Sequence, residues 1–183
     1  MRMFFDALMP LGRTNRAIPQ TPRTQAEVLA VMDRCDVAEA LVFHTVARDS
    51  DPSSGNAELA AEVNHPRLHR VFGFDPAYVI PETPAAFLER ARAAGAKAVL
   101  VNPRVRALRI DRSPRIQELA AAMAARRIPL LAVYRQWDGG QDLVDWYELA
   151  DFCRAFPQLP VIAWETRARS NRRAGGPLAS FLV

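Results

Sequence analysis

Short apolar runs alternate with longer amphipathic segments along nearly the whole chain. The runs fall at Met3–Ala7, Ala40–Phe43, Leu68–Phe74, Ala98–Val101, Pro129–Tyr134 and Val161–Trp164. Most are rich in Val, Leu, Ile or Phe and lack the polar alternation of a half-solvated strand, so they read as strands buried on both faces. Helical segments lie between them. Thr24-Gln25-Ala26-Glu27 is a capping box ahead of the apolar positions Val28, Leu29, Val31 and Met32. Ala57–Asn64 predicts a short helix before His65-Pro66. Thr83-Pro84 and Ser113-Pro114 each supply a cap followed by proline at the first helical position. These two helices are expected to run to Ala94, just before Gly95, and to about Arg127. Leu143–Phe156 predicts a fifth helix, closed by Pro157.

Strand and helix alternating about six times predict a parallel sheet built from βαβ units. Two architectures fit this order, an open doubly wound sheet and a (β/α)8 barrel. A full barrel takes about 250 residues. The 183 residues here supply about six βα units, and Pro177–Val183 reads as the start of a further helix. The expectation is a single domain over residues 1–183, either an open sheet or a barrel whose last units are missing and whose chain is cut short at its C-terminal end. No glycine-rich phosphate loop is present. Asp138-Gly139-Gly140 is a turn signal, and Gly175-Gly176 interrupts a helical pattern.

Composition narrows the function classes. Half the residues are hydrophobic and 24% are charged, which is ordinary for a globular domain. Two cysteines, Cys35 and Cys153, are too few for a disulfide framework and read as small buried hydrophobes in a reducing cytoplasm. No run of 18 apolar residues occurs, so no membrane partner is expected. The net charge is +4, but the basic residues are mostly arginines spread among acids, without aromatic interleaving. Nucleic acid is therefore not expected as a partner.

The first strand carries more specific information. Phe4-Phe5-Asp6-Ala7-Leu8-Met9-Pro10-Leu11-Gly12 resembles the opening strand of amidohydrolase-related metal-dependent hydrolases, apolar-apolar-Asp-Ala-His-x-His-x-Gly. Further segments resemble the same family in order and spacing. They are Met32–Val42, Gly55-Asn56-Ala57-Glu58-Leu59, His65-Pro66-Arg67-Leu68 with Gly73-Phe74-Asp75-Pro76, Gly95–Val99 with Asn102-Pro103, Arg127–Leu131, and Phe156–Ile162. Arg169-Ser170-Asn171-Arg172 resembles a subgroup with that motif after strand six. The resemblance implies a (β/α)8 barrel. It also implies a metal site with two histidines on strand one, one each on strands five and six, and an aspartate on strand eight. Position by position, the four histidines become Leu8, Pro10, Val133 and Glu165. Only Glu165 can donate to a cation, whereas a catalytic zinc site takes about three protein ligands. The reading is thus of a member without metal or other cofactor, a divalent ion such as zinc being the alternative.

In a parallel barrel the residues just after each strand converge on one mouth. Glu165, in a vacated histidine position, and His44, after Leu41-Val42-Phe43, are the catalytic candidates for proton transfer. Asn102 and Arg104 end strand four, Tyr134 and Arg135 end strand five, and Arg169 and Asn171 follow strand six. These six are the candidate substrate-binding residues, because arginine takes a carboxylate bidentately. Arg106 and Arg109 belong to the same basic loop as Arg104. Arg48 and Asp51 are expected to pair within the loop after strand two, and Asp6 to serve as a structural hydrogen-bonding group. Two function classes follow. One is a hydrolase or lyase of the amidohydrolase-related kind acting on a small anionic substrate. The other is a non-catalytic barrel that binds a ligand or a partner. An exposed barrel edge would favour a homo-oligomer that covers it.

Overall fold

A computed structural model describes residues 4–13, 21–77, 82–103, 108–133 and 146–164. Six strands form one sheet in sequence order, every neighbouring pair parallel. They are β1 (Phe4–Leu11), β2 (Val37–His44), β3 (Leu68–Gly73), β4 (Ala98–Val101), β5 (Leu130–Val133) and β6 (Val161–Trp164). The connecting helices are α1 (Gln25–Arg34), α2 (Thr45–Asp49), α3 (Pro52–Glu62), α4 (Pro84–Ala93), α5 (Pro114–Ala124) and α6 (Trp146–Ala155). No helix among the described residues is long and apolar enough to cross a membrane.

The predicted caps are those observed. The Thr24 hydroxyl accepts from the Glu27 amide, the Thr83 hydroxyl from Ala86, and the Ser113 hydroxyl from Ile116. Each satisfies an amide that the first helical turn leaves without a partner. The crossover after β2 departs from expectation. One helix over Ala57–Asn64 was the reading; two occur, and α3 starts at Pro52, capped by the Asp51 carboxylate on the Ser53 and Ser54 amides. Gly55 and Asn56 weaken the helical pattern in sequence, but both are buried in packing contacts that hold that turn. β1 is longer than the apolar run Met3–Ala7 because the pairing slips between Asp6 and Met9. There the Asp6 carboxylate accepts from the Leu8 amide at 2.8 Å, so the expected structural role is the role seen. Cys35 is exposed at the end of α1, against the expectation that it is buried. Cys153 is partly buried, and burial pushes its thiol up, away from the reactive thiolate.

Two apolar layers decide between an open sheet and a barrel. One side of the strands packs on the helices, through Met9, Leu11, Val42, Phe72, Val99 and Ala132. The other side forms its own core from Leu41, Phe43, Val71, Leu100, Leu131 and Val133, with Leu8 and Trp164 packed against it. Among the described residues, no helix contributes to this inner core. In a flat sheet β2 and β6 would lie roughly 19 Å apart, four strand spacings. Yet the rings of Phe43 on β2 and Trp164 on β6 have centroids 5.2 Å apart. The sheet curls until these strands meet across its inside, as strands four apart do in an eight-stranded barrel. The chain forms an incomplete (β/α)8 barrel.

The outer ends of the crossovers are fastened by arginines. Arg70 donates from Nε to the Val63 carbonyl at 2.7 Å and from Nη1 to the Ala94 carbonyl, closing the C-termini of α3 and α4. At the other end of β3, the buried Asn56 amide bonds both polar groups of Gly73. It donates to the carbonyl at 2.9 Å and accepts from the amide at 2.7 Å. Asn56→Leu leaves two backbone groups without partners in a dry site. The expected loss is about 2–5 kcal/mol of folding stability, read as a lowered midpoint in urea denaturation; an unchanged midpoint would show that the clasp contributes nothing.

Candidate functional site

The C-terminal ends of the strands form the mouth, and its inner rim is set by strand parity. Met9 and Leu11 of β1 belong to the outer core, which leaves Leu8 and Pro10 on the inner face. Val133 of β5 is in the inner core. The three positions where the family resemblance would have histidines therefore face the barrel interior and are apolar. Among the described residues, no three His, Cys, Asp or Glu side chains come together to hold a metal ion. Glu165 lies outside the described residues.

What fills the axis instead is aromatic. Phe43 and Trp164 meet at the mouth, and the guanidinium of Arg48 lies over both rings, 5.4 Å and 5.5 Å from their centroids. Such contacts are worth about 0.5–2 kcal/mol each, more where water is excluded. The Arg48 side chain is 8% exposed. Its charge is met by the adjacent Asp49, with Nε on one carboxylate oxygen at 2.5 Å and Nη2 on the other at 2.7 Å. The expected partner, Asp51, is instead the cap of α3. Nη1 of Arg48 has no partner among the described residues. A notch of about 20 Å³ opens beside the Arg48 residue, its lining including Ser50, Phe74, Asp75, Leu100 and Asn102. That is room for about one water or a single oxygen-bearing group.

Arg48 is held there by α2, and α2 by its surroundings. Asn102 at the end of β4 donates to the Arg48 carbonyl at 3.2 Å. Thr45 donates to the carbonyl of Arg13 at 2.6 Å. Gly55 of α3 presses on the α2 backbone so closely that a Cβ would lie 2.2 Å from the Ala47 nitrogen. His44 caps the helix, its Nδ1 accepting from the Val46 amide at 3.3 Å, while Nε2 lies 3.1 Å from a Glu58 carboxylate oxygen. Nδ1 as acceptor puts the proton on Nε2, which then donates to Glu58. The ring abuts Gly12, whose φ of +99° favours glycine and where a Cβ would stand 2.4 Å from Nε2.

Of the candidate site residues, the described part of the structure holds His44 and Asn102, and joins both to α2. Arg104, Tyr134, Arg135, Arg169 and Asn171 lie outside the described residues. Arg109 of the basic loop is paired with Asp111 at 2.8 Å, and Glu148 of α6 accepts from the Ile110 amide beside it. Sequence reasoning missed the seat of Arg48 and the roles of Asp49 and Glu58. A usable signal was there: Leu41 and Phe43 share one parity, Ile162 and Trp164 another, and both place an aromatic at the inner mouth.

Comparison with known proteins adds the fold and little else. No protein-family model matches the chain, and no curated protein matches it. Among solved structures, it is similar to an amidohydrolase II, with a TM-score of 0.54 at 14% identity over 86% of this chain and 65% of that one. It is also similar to an uncharacterised TIM-barrel protein from Bordetella bronchiseptica, with a TM-score of 0.49 at 18% identity over 76% of this chain and 50% of that one. The chain thus spans 50% and 65% of the lengths of these two structures. At such identities the likeness to the amidohydrolase II is one of fold.

Burial holds the His44 imidazole below the ordinary histidine value of 6.5, partly offset by the Glu58 carboxylate. The unfolded chain then binds more protons than the native state between the two values. The stability this confers is complete above about pH 6.5 and is lost as the pH falls through the folded value. Urea midpoints are expected to drop from about pH 7.5 to about pH 5, and His44→Asn to remove part of that drop.

Proposed function

We propose that the chain works at the mouth of its barrel as an amidohydrolase-like hydrolase or lyase on a small anionic substrate. The observation that carries this reading is the buried Arg48 guanidinium, seated on Phe43 and Trp164 in a residue that lines the notch. In the metal-dependent pattern, the cations at this place would polarise an oxygen of the substrate. A guanidinium supplies one positive charge and donors in a fixed fork at the same place. It binds and orients a carboxylate or other oxyanion by charge-assisted hydrogen bonds. It does not lower the pKa of a bound water as a metal does, so water activation falls to a protein base. Glu165 is our candidate for that base. His44 is the second, although each of its nitrogens already has a partner. Asn102 stands beside Arg48, and Arg104, Tyr134, Arg135, Arg169 and Asn171 complete the proposed binding set.

The second reading, a non-catalytic ligand-binding barrel, is favoured by the same engagement of His44 and by the apolar Leu8, Pro10 and Val133. The two readings share the anion and differ in turnover. Titration with acetate, oxalate and benzoate, followed by calorimetry or NMR, tests the shared part. Arg48→Gln is expected to weaken the tightest of these by about 10- to 100-fold, the worth of a hydrogen bond to a charged group. Equal affinity in the variant would remove Arg48 from the site.

A further inference from the structure

We propose that His44 is a positioning residue: its neutral ring caps α2 and thereby holds Arg48 on Phe43 and Trp164, and protonation of the ring releases the guanidinium from the mouth. The functional meaning of this coupling rests on the proposed role of Arg48, while the coupling itself does not.

The geometry leads there in three steps. First, α2 spans only Thr45–Asp49. A helix this short has no stability of its own and persists through its anchors. His44 anchors its first turn, and Arg48 stands one helical turn after His44. Second, the ring is held at its far side. Nε2 is bonded to Glu58, and Gly12 leaves no space behind it. Third, protonation places a hydrogen on Nδ1, which faces the Val46 N–H at 3.3 Å. Two donors then point at each other. The Glu58 carboxylate holds the charged ring more strongly at Nε2, so the ring stays and the cap gives way.

Among the described residues, the charged groups on the elements around the ring are few. α3 contributes Glu58 and, at its start, Asp51, which is bonded to the Ser53 and Ser54 amides. α2 itself contributes the Arg48–Asp49 pair. β1 leads into Gly12 and Arg13, whose carbonyl is bonded to Thr45. Their own titration is common to the wild type and to His44→Asn, and comparing the two isolates the imidazole. Asparagine keeps an acceptor at the cap position and does not titrate. Burial sets the direction of the histidine's own shift, so the coupled change falls on the acid side of 6.5.

The test follows the Val46 amide and the Arg48 Nε–H by NMR in ligand-free protein, from about pH 8 to about pH 5. Long-range spectra of the His44 ring report its tautomer and charge. The proposal expects an Nε2–H tautomer at high pH, and a joint shift of all three signals at one midpoint below 6.5. In His44→Asn, the Val46 and Arg48 signals hold still. An Arg48 signal that stays fixed while His44 titrates would overturn the proposal, as would the same movement in His44→Asn. Should that variant not fold, Glu58→Gln serves, because loss of the carboxylate lowers the His44 midpoint. The Arg48 midpoint must move with it, and one that does not overturns the coupling. Benzoate titration is a separate arm. Its affinity is expected to fall at least tenfold on acidification in the wild type and not in His44→Asn. If benzoate binds at neither pH while the three signals still move together, the anion reading fails and the coupling stands.

Discussion

The contact between Phe43 and Trp164 is the constraint from which the rest follows. It joins strands that are four apart in the sheet and so fixes the curl. A curled sheet has an inside, and the inside has a mouth where strand ends converge. The aromatic pair also occupies the axis at that mouth, giving Arg48 a surface on which a desolvated cation is stabilised. Without the pair, the Arg48–Asp49 couple would be an ordinary ion pair on a short helix, with a worth near zero.

In the proposed site, a guanidinium differs from a metal ion in what it can do to an oxygen. Leu8, Pro10 and Val133 face inward without lone pairs, and the Arg48 guanidinium stands over the rings of Phe43 and Trp164. A guanidinium is a donor with a shape. It orients a planar oxyanion and discriminates by geometry, but its field is that of a single charge already shared with Asp49. In the proposed function, chemistry at such a mouth rests on positioning and on a separate proton carrier.

Much of the fold was legible in the sequence because its signals are local. Capping residues with proline at the first helical position marked α4 and α5, and continuous apolar runs marked the buried strands. The choice between open sheet and barrel was not legible from periodicity, since both present the same order of elements. It turns on the ring of Trp164 reaching that of Phe43. α2 was missed for a related reason. Thr45-Val46-Ala47-Arg48-Asp49 carries no amphipathic repeat, and its helix exists only because His44, Thr45 and Gly55 are gripped from three directions. His44 and Asn102 were singled out for chemistry because they end strands. What they are seen to do is hold the backbone that carries Arg48.

The Phe43–Trp164 contact also bears on the order in which the chain assembles. Every strand pairs with the one before it in sequence, so the sheet can grow unit by unit through short loop closures. The aromatic contact, with Arg48 on the same Trp164 ring, reaches back about 120 residues. It cannot form until the last described strand has been added. The aromatic seat of Arg48 is thus completed only once β6 has joined the sheet, and any species trapped short of β6 lacks it.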